Sequence, residues 1–150
     1  MVKESAVLDS TCLIGLERID RLDLLPALLS PLMVPPAVHL EFGTCPPWLT
    51  VTKPLDQGMV AALKINVDPG EAEAIALAYE KGMRVILDDR KAREVAHRLG
   101  LKVTGTVGLL VKAKQAGIIP AILPLLDALD SKGFRITTAL RVEALRLAGE

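Results

Sequence analysis

Short apolar runs alternate with helix-forming stretches along almost the whole chain. That alternation constrains the fold more than any other feature. A strand followed by a helix pairs in parallel with a later strand, and the crossover helix covers one face of the sheet. Residues 5–8, 32–34, 84–87 and 101–103 read as buried strands, residues 48–51 as an extended segment, and residues 134–136 as an edge strand. Between them lie helices. Ser10 or Thr11 can cap the first, which carries Leu13, Ile14, Leu16 and Ile19. Residues 20–30 read as a second helix disturbed by Pro26, and residues 36–42 as a third, opened by Pro36 and closed by Gly43. Further helices are expected at 55–65, 71–81, 90–99, 107–116, 121–129 and 138–148, several of them closed by glycine. The expected fold is α/β, with a parallel sheet and helices on both faces. The whole span, residues 1–150, suits one domain with one core.

Apolar residues make up 51% of the chain, so core material is plentiful. Eighteen basic residues balance eighteen acidic ones, leaving a formal charge of zero. A nucleic-acid partner gains nothing from such a net charge, and any basic footprint must be local. Cys12 and Cys45 form no CxxC pair and have no histidine at ligand spacing, which argues against zinc and redox sites. Two buried free thiols in a reducing compartment are expected instead. No long apolar stretch follows the N-terminus. The longest apolar run, residues 116–126, is interrupted by Pro120 and Pro124 and is too short to span a bilayer. The chain is expected to be soluble and cytoplasmic, with no membrane partner. Its apolar segment 118–126 suggests a homodimer.

In open α/β sheets, ligands bind beyond the carboxyl ends of the strands. That edge collects acids here. Asp9 ends the first strand, Asp88 and Asp89 follow the third, Glu41 lies on the helix after the second, and Glu71 sits in the first turn of its helix. Each has an ordinary use. Asp9 and Asp89 can cap helices, Glu71 and Glu73 suit a helix's positive end, and Glu41 can be a solvated surface residue. Gathered at one edge, however, carboxylates repel, and some stay protonated unless a cation binds. Hard oxygen donors suit Mg²⁺ or Mn²⁺. Such an ion polarises a phosphoryl oxygen and lowers the pKa of a bound water, which is what phosphodiester hydrolysis requires. Other phosphate chemistries lack their residues. There is no GxxxxGK[ST] loop. Thr11 stands where a haloacid-dehalogenase-type phosphatase has its second aspartate, and neither the acidic pair nor the lysine of a receiver domain is present.

The segments VLDSTCLIGL, VPPAVHLEF, GEAEAIALA and VILDDRKAREVA occur in an order and spacing that resemble the PIN-domain family, which includes VapC-type toxins. TGTVGLLVKAKQAG and the ending GFRITTALRVEALRLAGE resemble a little-characterised prokaryotic subgroup of it. The resemblance implies a three-layer α/β/α sandwich with a central parallel sheet. It also implies a Mg²⁺- or Mn²⁺-dependent endoribonuclease acting on single-stranded RNA, the toxin of a toxin–antitoxin pair with a small antitoxin protein as partner. The catalytic, metal-binding acids it implies are Asp9, Glu41, Glu71 and Asp89, with Asp88 an adjacent alternative and Ser10 or Thr11 as the small hydroxyl neighbour. Many family members have Asp where Glu71 stands, and the longer side chain shifts the ligand geometry, with Glu73 able to compete. From a different class, a catalytically degenerate PIN-like module that binds a metal, RNA or a protein partner has the same sequence signature.

Arg90, Arg93 and His97 fall along one flank of their helix and can hold RNA phosphates; the alternative is a solvated face. His39 and His97 are expected at the surface. Thr104 and Thr106 flank Gly105 and can face the cleft, with helix capping the competing use for Thr106. Trp48 reads as a packing anchor, and with aromatics at 3% an aromatic platform for RNA bases is not expected.

Overall fold

The computed structural model describes residues 2–150. In chain order the elements are β1 (Glu4–Leu8), α1 (Ser10–Arg18), α2 (Leu24–Leu28), β2 (Leu29–Val34), α3 (Pro36–Phe42), β3 (Leu49–Val51), α4 (Gln57–Leu63), α5 (Pro69–Lys81), β4 (Arg84–Ile86), α6 (Arg90–Arg98), β5 (Val103–Thr104), α7 (Thr106–Gln115), α8 (Leu123–Ser131) and α9 (Thr138–Leu147). The five strands form one sheet in the order β3-β2-β1-β4-β5, and every neighbouring pair is parallel.

The alternation of side chains along each strand decides what each face buries. Ala6, Leu8 and Ile86 point into a core shared with Leu13 and Leu16 of α1, Leu109 and Leu110 of α7, and Leu126 and Leu129 of α8. Val7, Val85 and Leu87 point the other way, onto Ile75 and Leu77 of α5 and Ala92 and Ala96 of α6. The sandwich is therefore three-layered, as expected. Each fully buried leucine contributes about 1.5–3 kcal/mol, whereas an exposed pair such as Arg90–Glu94 contributes about 0–1 kcal/mol. The two apolar faces therefore hold the molecule together.

The order of the strands also creates the crevice. From β1 the chain moves outward to β2 and β3 on one side, then crosses to β4 and β5 on the other. Helix α1 covers one face and α6 covers the opposite face. The loops leaving β1 and β4 therefore diverge, and a cleft opens between them at the topological switch point. Asp9 stands at one lip, and Asp88 and Asp89 at the other.

Several expectations are corrected. The helix expected over residues 20–30 shrinks to Leu24–Leu28, because Leu29 leaves to pair with Glu4 and opens β2. Residues 134–136 form no strand; Phe134 and Ile136 instead pack side-on against the core. The last strand is Val103–Thr104, two residues long. Cys12 is buried but Cys45 is exposed. Within the segment expected at a dimer interface, Ile119, Ile122 and Leu126 are buried in the core, while Ile118 and Leu123 are exposed. Trp48 packs against the core, as expected of an anchor. No helix among the described residues is long and apolar enough to cross a membrane.

Candidate active site

Asp9 occupies the N-cap position of α1, with φ −93° and ψ 163°, yet its side chain makes no capping hydrogen bond. Neither Ser10 nor Thr11 is the cap; Ser10 is the first helical residue. The ordinary use of an aspartate after a strand is therefore not its use here. Its backbone N–H donates to the Ile86 carbonyl at 3.3 Å, which ties the lip of β1 to the end of β4. The residue is only 4% exposed. Burial, with like charges on Glu71, Asp68 and Glu41 adding to it, pushes the Asp9 carboxyl up to about 7 against the pull of the Ser10 backbone amide.

The other acids arrive on α3 and on the N-terminus of α5. Gly70 marks where they meet. A methyl group built on it would collide with Glu41 Oε1 and would lie 3.5 Å from Asp68 Oδ1 and 3.6 Å from Asp9 Oδ1. Glycine leaves the Glu41 carboxylate the space it occupies, while Asp68 and Asp9 lie at ordinary contact distance. Glu41 is exposed, but partial burial and the neighbouring Asp68 still raise its pKa, while the Ser10 hydroxyl works in the opposite direction. Glu71 is 8% exposed. Burial and the charges of Asp68, Asp89 and Glu41 push it up to about 7, against the Asp68 backbone N–H. Thus the structure brings Asp9, Glu41, Glu71 and Asp89 into one electrostatic neighbourhood.

Asp68 is an acid that sequence reasoning missed. It caps α5 by accepting from the Glu71 backbone at 2.7 Å, and Glu71 Oε1 accepts from the Asp68 backbone at 3.1 Å. The two form a capping box. The signal was the Asp-x-x-Glu spacing of Asp68-Pro69-Gly70-Glu71. Glu73 does not compete for the cleft, because it accepts from the Ala37 backbone at the start of α3, at 3.3 Å.

Across the cleft the two adjacent aspartates have different jobs. Asp89 is exposed and caps α6, its Oδ2 accepting from Ala92 N–H at 3.0 Å. Asp88 is bonded internally: it accepts from the Thr106 backbone at 2.8 Å and from the Thr106 hydroxyl at 2.6 Å. Burial raises its pKa, while Thr106 and Arg93 counter that. Asp88 thereby supplies the cap that Gly105, the N-cap residue of α7, cannot. Thr106 is fully buried and committed to this bond, and it does not itself cap α7. Thr104 accepts from Arg84 Nη1 at 2.7 Å, so its hydroxyl is committed too. Arg93 donates to the Leu87 carbonyl at 3.0 Å, while Arg90 is exposed and pairs with Glu94 at 3.6 Å. His97 is exposed and His39 half-buried. Thr11 is exposed at the cleft.

Hard oxygens make up the whole donor set, and no ion pair satisfies Asp9, Glu41, Asp68, Glu71 or Asp89 among the described residues. Crowded, uncompensated carboxylates of this kind fit Mg²⁺ or Mn²⁺. Among the described residues, no three acid, histidine or cysteine side chains already share the geometry to grip one ion. Glu71 and Asp89 each engage one oxygen in helix capping and leave the other outside that bond. Two grooves adjoin the lip of the cleft at Asp88. One, of about 550 Å³, runs from Thr11 and Asp89 along α1. The other, of about 640 Å³, lies between α6 and α7, and the two share Asp88 and Leu140.

A parallel α/β/α sandwich with carboxylates gathered at its switch point defines a class of α/β domains with an acidic crevice. Within that class, residues 5–150 match the family DUF3368, described as a PIN domain. The chain belongs to the PIN-domain family, a family typically of nucleases whose members generally use divalent metals. No curated protein matches it.

Proposed function

We propose that the protein is a Mg²⁺- or Mn²⁺-dependent endoribonuclease that hydrolyses phosphodiester bonds of single-stranded RNA, with Asp9, Glu41, Glu71 and Asp89 holding the ion. The observation that carries this reading is Asp9: buried, placed to cap a helix that it does not cap, and surrounded by like charge. A fold keeps so costly an arrangement where function needs it. A bound ion would supply charge stabilisation of the phosphoryl group and a more acidic water. The chain's own contribution is to fix the carboxylates from two lips of one crevice. Asp68 orients Glu71 through the capping box, and Gly70 leaves Glu41 room to reach Asp9. Asp88, bonded to Thr106, sets the loop beside Asp89.

The toxin role and its antitoxin partner draw their support from the VapC-like segments of the sequence. A small open reading frame directly upstream, encoding a DNA-binding protein, would support them. A second reading has one observation in its favour: Glu71 and Asp89 already serve as helix caps. A degenerate module would use them only so, and would bind metal, RNA or protein without cutting. Incubating the protein with single-stranded RNA decides between the two. Cleavage that needs Mn²⁺ or Mg²⁺, stops with EDTA and vanishes in Asp9→Asn supports the nuclease. Uncut RNA, with Mn²⁺ still raising the melting temperature, supports the module.

A further inference from the structure

The sequence directs attention to α6 for RNA binding, and there Arg90 and Arg93 each already have a partner within the protein. Arg93 is turned inward onto the Leu87 carbonyl, and Arg90 is paired with Glu94. The groove on the other side of Asp89 has a different lining. It is lined by Thr11, Asp88 and Asp89, by Arg18 in the last turn of α1, and by Lys132 and Arg135 in the segment between α8 and α9. All three cations are exposed, and none is ion-paired among the described residues. The acids of α8 that would offset them, Asp127 and Asp130, are taken by Arg141 at 2.8 and 3.3 Å. In a chain of zero net charge, three cations without an ion pair line one groove with Asp88 and Asp89, the aspartates at one lip of the acidic cleft.

That lining is also held in place. Gly15 of α1 lies under the Phe134 ring, so closely that a Cβ there would sit 2.9 Å from the ring. Phe134 in turn packs against the core, anchoring the segment that carries Lys132 and Arg135. A glycine at that point of α1 lets the segment approach the helix, and the groove between them keeps a volume of about 550 Å³.

We infer that Arg18, Lys132 and Arg135 form the track along which the sugar-phosphate backbone of single-stranded RNA runs out of the acidic cleft. The inference rests on the nuclease reading for its ligand, since the groove opens directly at Asp89. Arg18 has an ordinary use as well, because a cation suits the negative end of a helix. Salt dependence separates the two uses. A helix-end charge does not bind RNA, whereas each phosphate contact with a single strand adds about 0.7 to the slope of log affinity against log salt.

The test uses the full chain in EDTA, with a fluorescein-labelled single-stranded RNA as probe and potassium chloride varied. Binding is thereby read without cleavage, so that this inference and the nuclease reading fail separately. Arg18→Gln, Lys132→Gln and Arg135→Gln together should weaken binding at low salt by about tenfold or more and flatten the slope by about 2. Each single variant should flatten it by about 0.7. Lys81→Gln with Lys102→Gln, at the opposite edge of the sheet, should leave it unchanged. Melting temperatures equal to the parent's will show that the surface changes spare the fold. The inference is overturned if the triple variant keeps the parent's slope, if Arg90→Gln flattens it while the triple variant does not, or if the parent fails to bind the probe. Cleavage by a parent whose triple variant binds normally would leave the nuclease reading standing and this track refuted.

Discussion

Replacing Asp9 by Asn preserves the shape of the side chain and removes its charge. As a helix cap, Asn is as good as Asp, so an Asp9 that served only α1 would tolerate the change. As a metal ligand it would not. Cleavage by Asp9→Asn should fall by at least about 100-fold, since even residues behind the ligands commonly cost 10–100-fold, with single-turnover cleavage as the measurement. The adjacent pair Asp88 and Asp89 makes a sharper test. Asp88→Ala leaves the Thr106 hydroxyl and amide without their acceptor and should cost about 1–3 kcal/mol of stability. Asp89→Asn keeps a capping oxygen for Ala92 and should melt like the parent while losing cleavage. The reverse pattern would exchange their roles. The sequence made the acids legible because each follows a strand or opens a helix, and topology carries such positions to one edge. It hid what a polar group does when its partner is remote in the chain. Nothing near Thr106 announces that Asp88 will take its hydroxyl, and nothing near Arg93 announces the Leu87 carbonyl. Asp68 escaped although its Asp-x-x-Glu spacing marks the cap of α5, because its charge reaches Asp9 only through the fold.

At the scale of elements, the N-terminus of α5 is the part on which the site depends most. Its capping box and Pro69 fix where the helix starts, and Gly70 follows at once. Gly70→Ala should leave the fold intact, because Ala is favoured over Gly in a helix and the group it displaces is the flexible end of Glu41. The same displacement should lower cleavage by about tenfold or more, because small misplacements at a reacting centre cost up to about 10²-fold. Parental activity in a well-folded Gly70→Ala protein would mean that Glu41 need not lie where the structure has it. Helices and strands with clear punctuation were legible at this scale. Pro36 and Gly43 bound α3, and Pro69 and Gly82 bound α5. Two segments were not. Residues 20–30 carry enough leucine for a helix, but Leu29 is claimed by the sheet through its pairing with Glu4. Phe134 and Ile136 alternate as a strand would, yet they bury their side chains without any ladder, because α8 and α9 leave the segment over α1 and away from the sheet's edge. Periodicity reports which side chains go inside, and it does not report which backbone finds a neighbour.

For the whole molecule, the acidic cleft predicts how stability depends on pH and on metal. Asp9 and Glu71 titrate at about 7 in the fold, against ordinary values of 3.8 and 4.5. Between those limits the folded chain holds protons that the unfolded chain has released. Stability falls with pH wherever the native state binds more protons. The contribution of these two groups is therefore most favourable below about 4, is lost as pH rises to about 7, and then levels off. Metal-free protein should melt higher at pH 5 than at pH 8, with Asp9→Asn showing a shallower decline. At pH 8 that variant should be more stable than the parent by about 0.5–2 kcal/mol, which is a few degrees in melting temperature for a chain of this length. Mn²⁺ should act in the opposite sense. It competes with protons for the same oxygens, so its stabilisation of the parent should be small at pH 5 and larger at pH 8. At a hundredfold excess over its dissociation constant it should reach about 2.7 kcal/mol. In Asp9→Asn most of that gain should be missing. Four melts at each pH, parent and variant in EDTA and in Mn²⁺, measure all of this without substrate. If the metal-free curves rise from pH 5 to pH 8, the carboxylates are not held near neutral pH. If Mn²⁺ shifts parent and variant equally, the ion binds elsewhere, and Asp9 has to be explained without it.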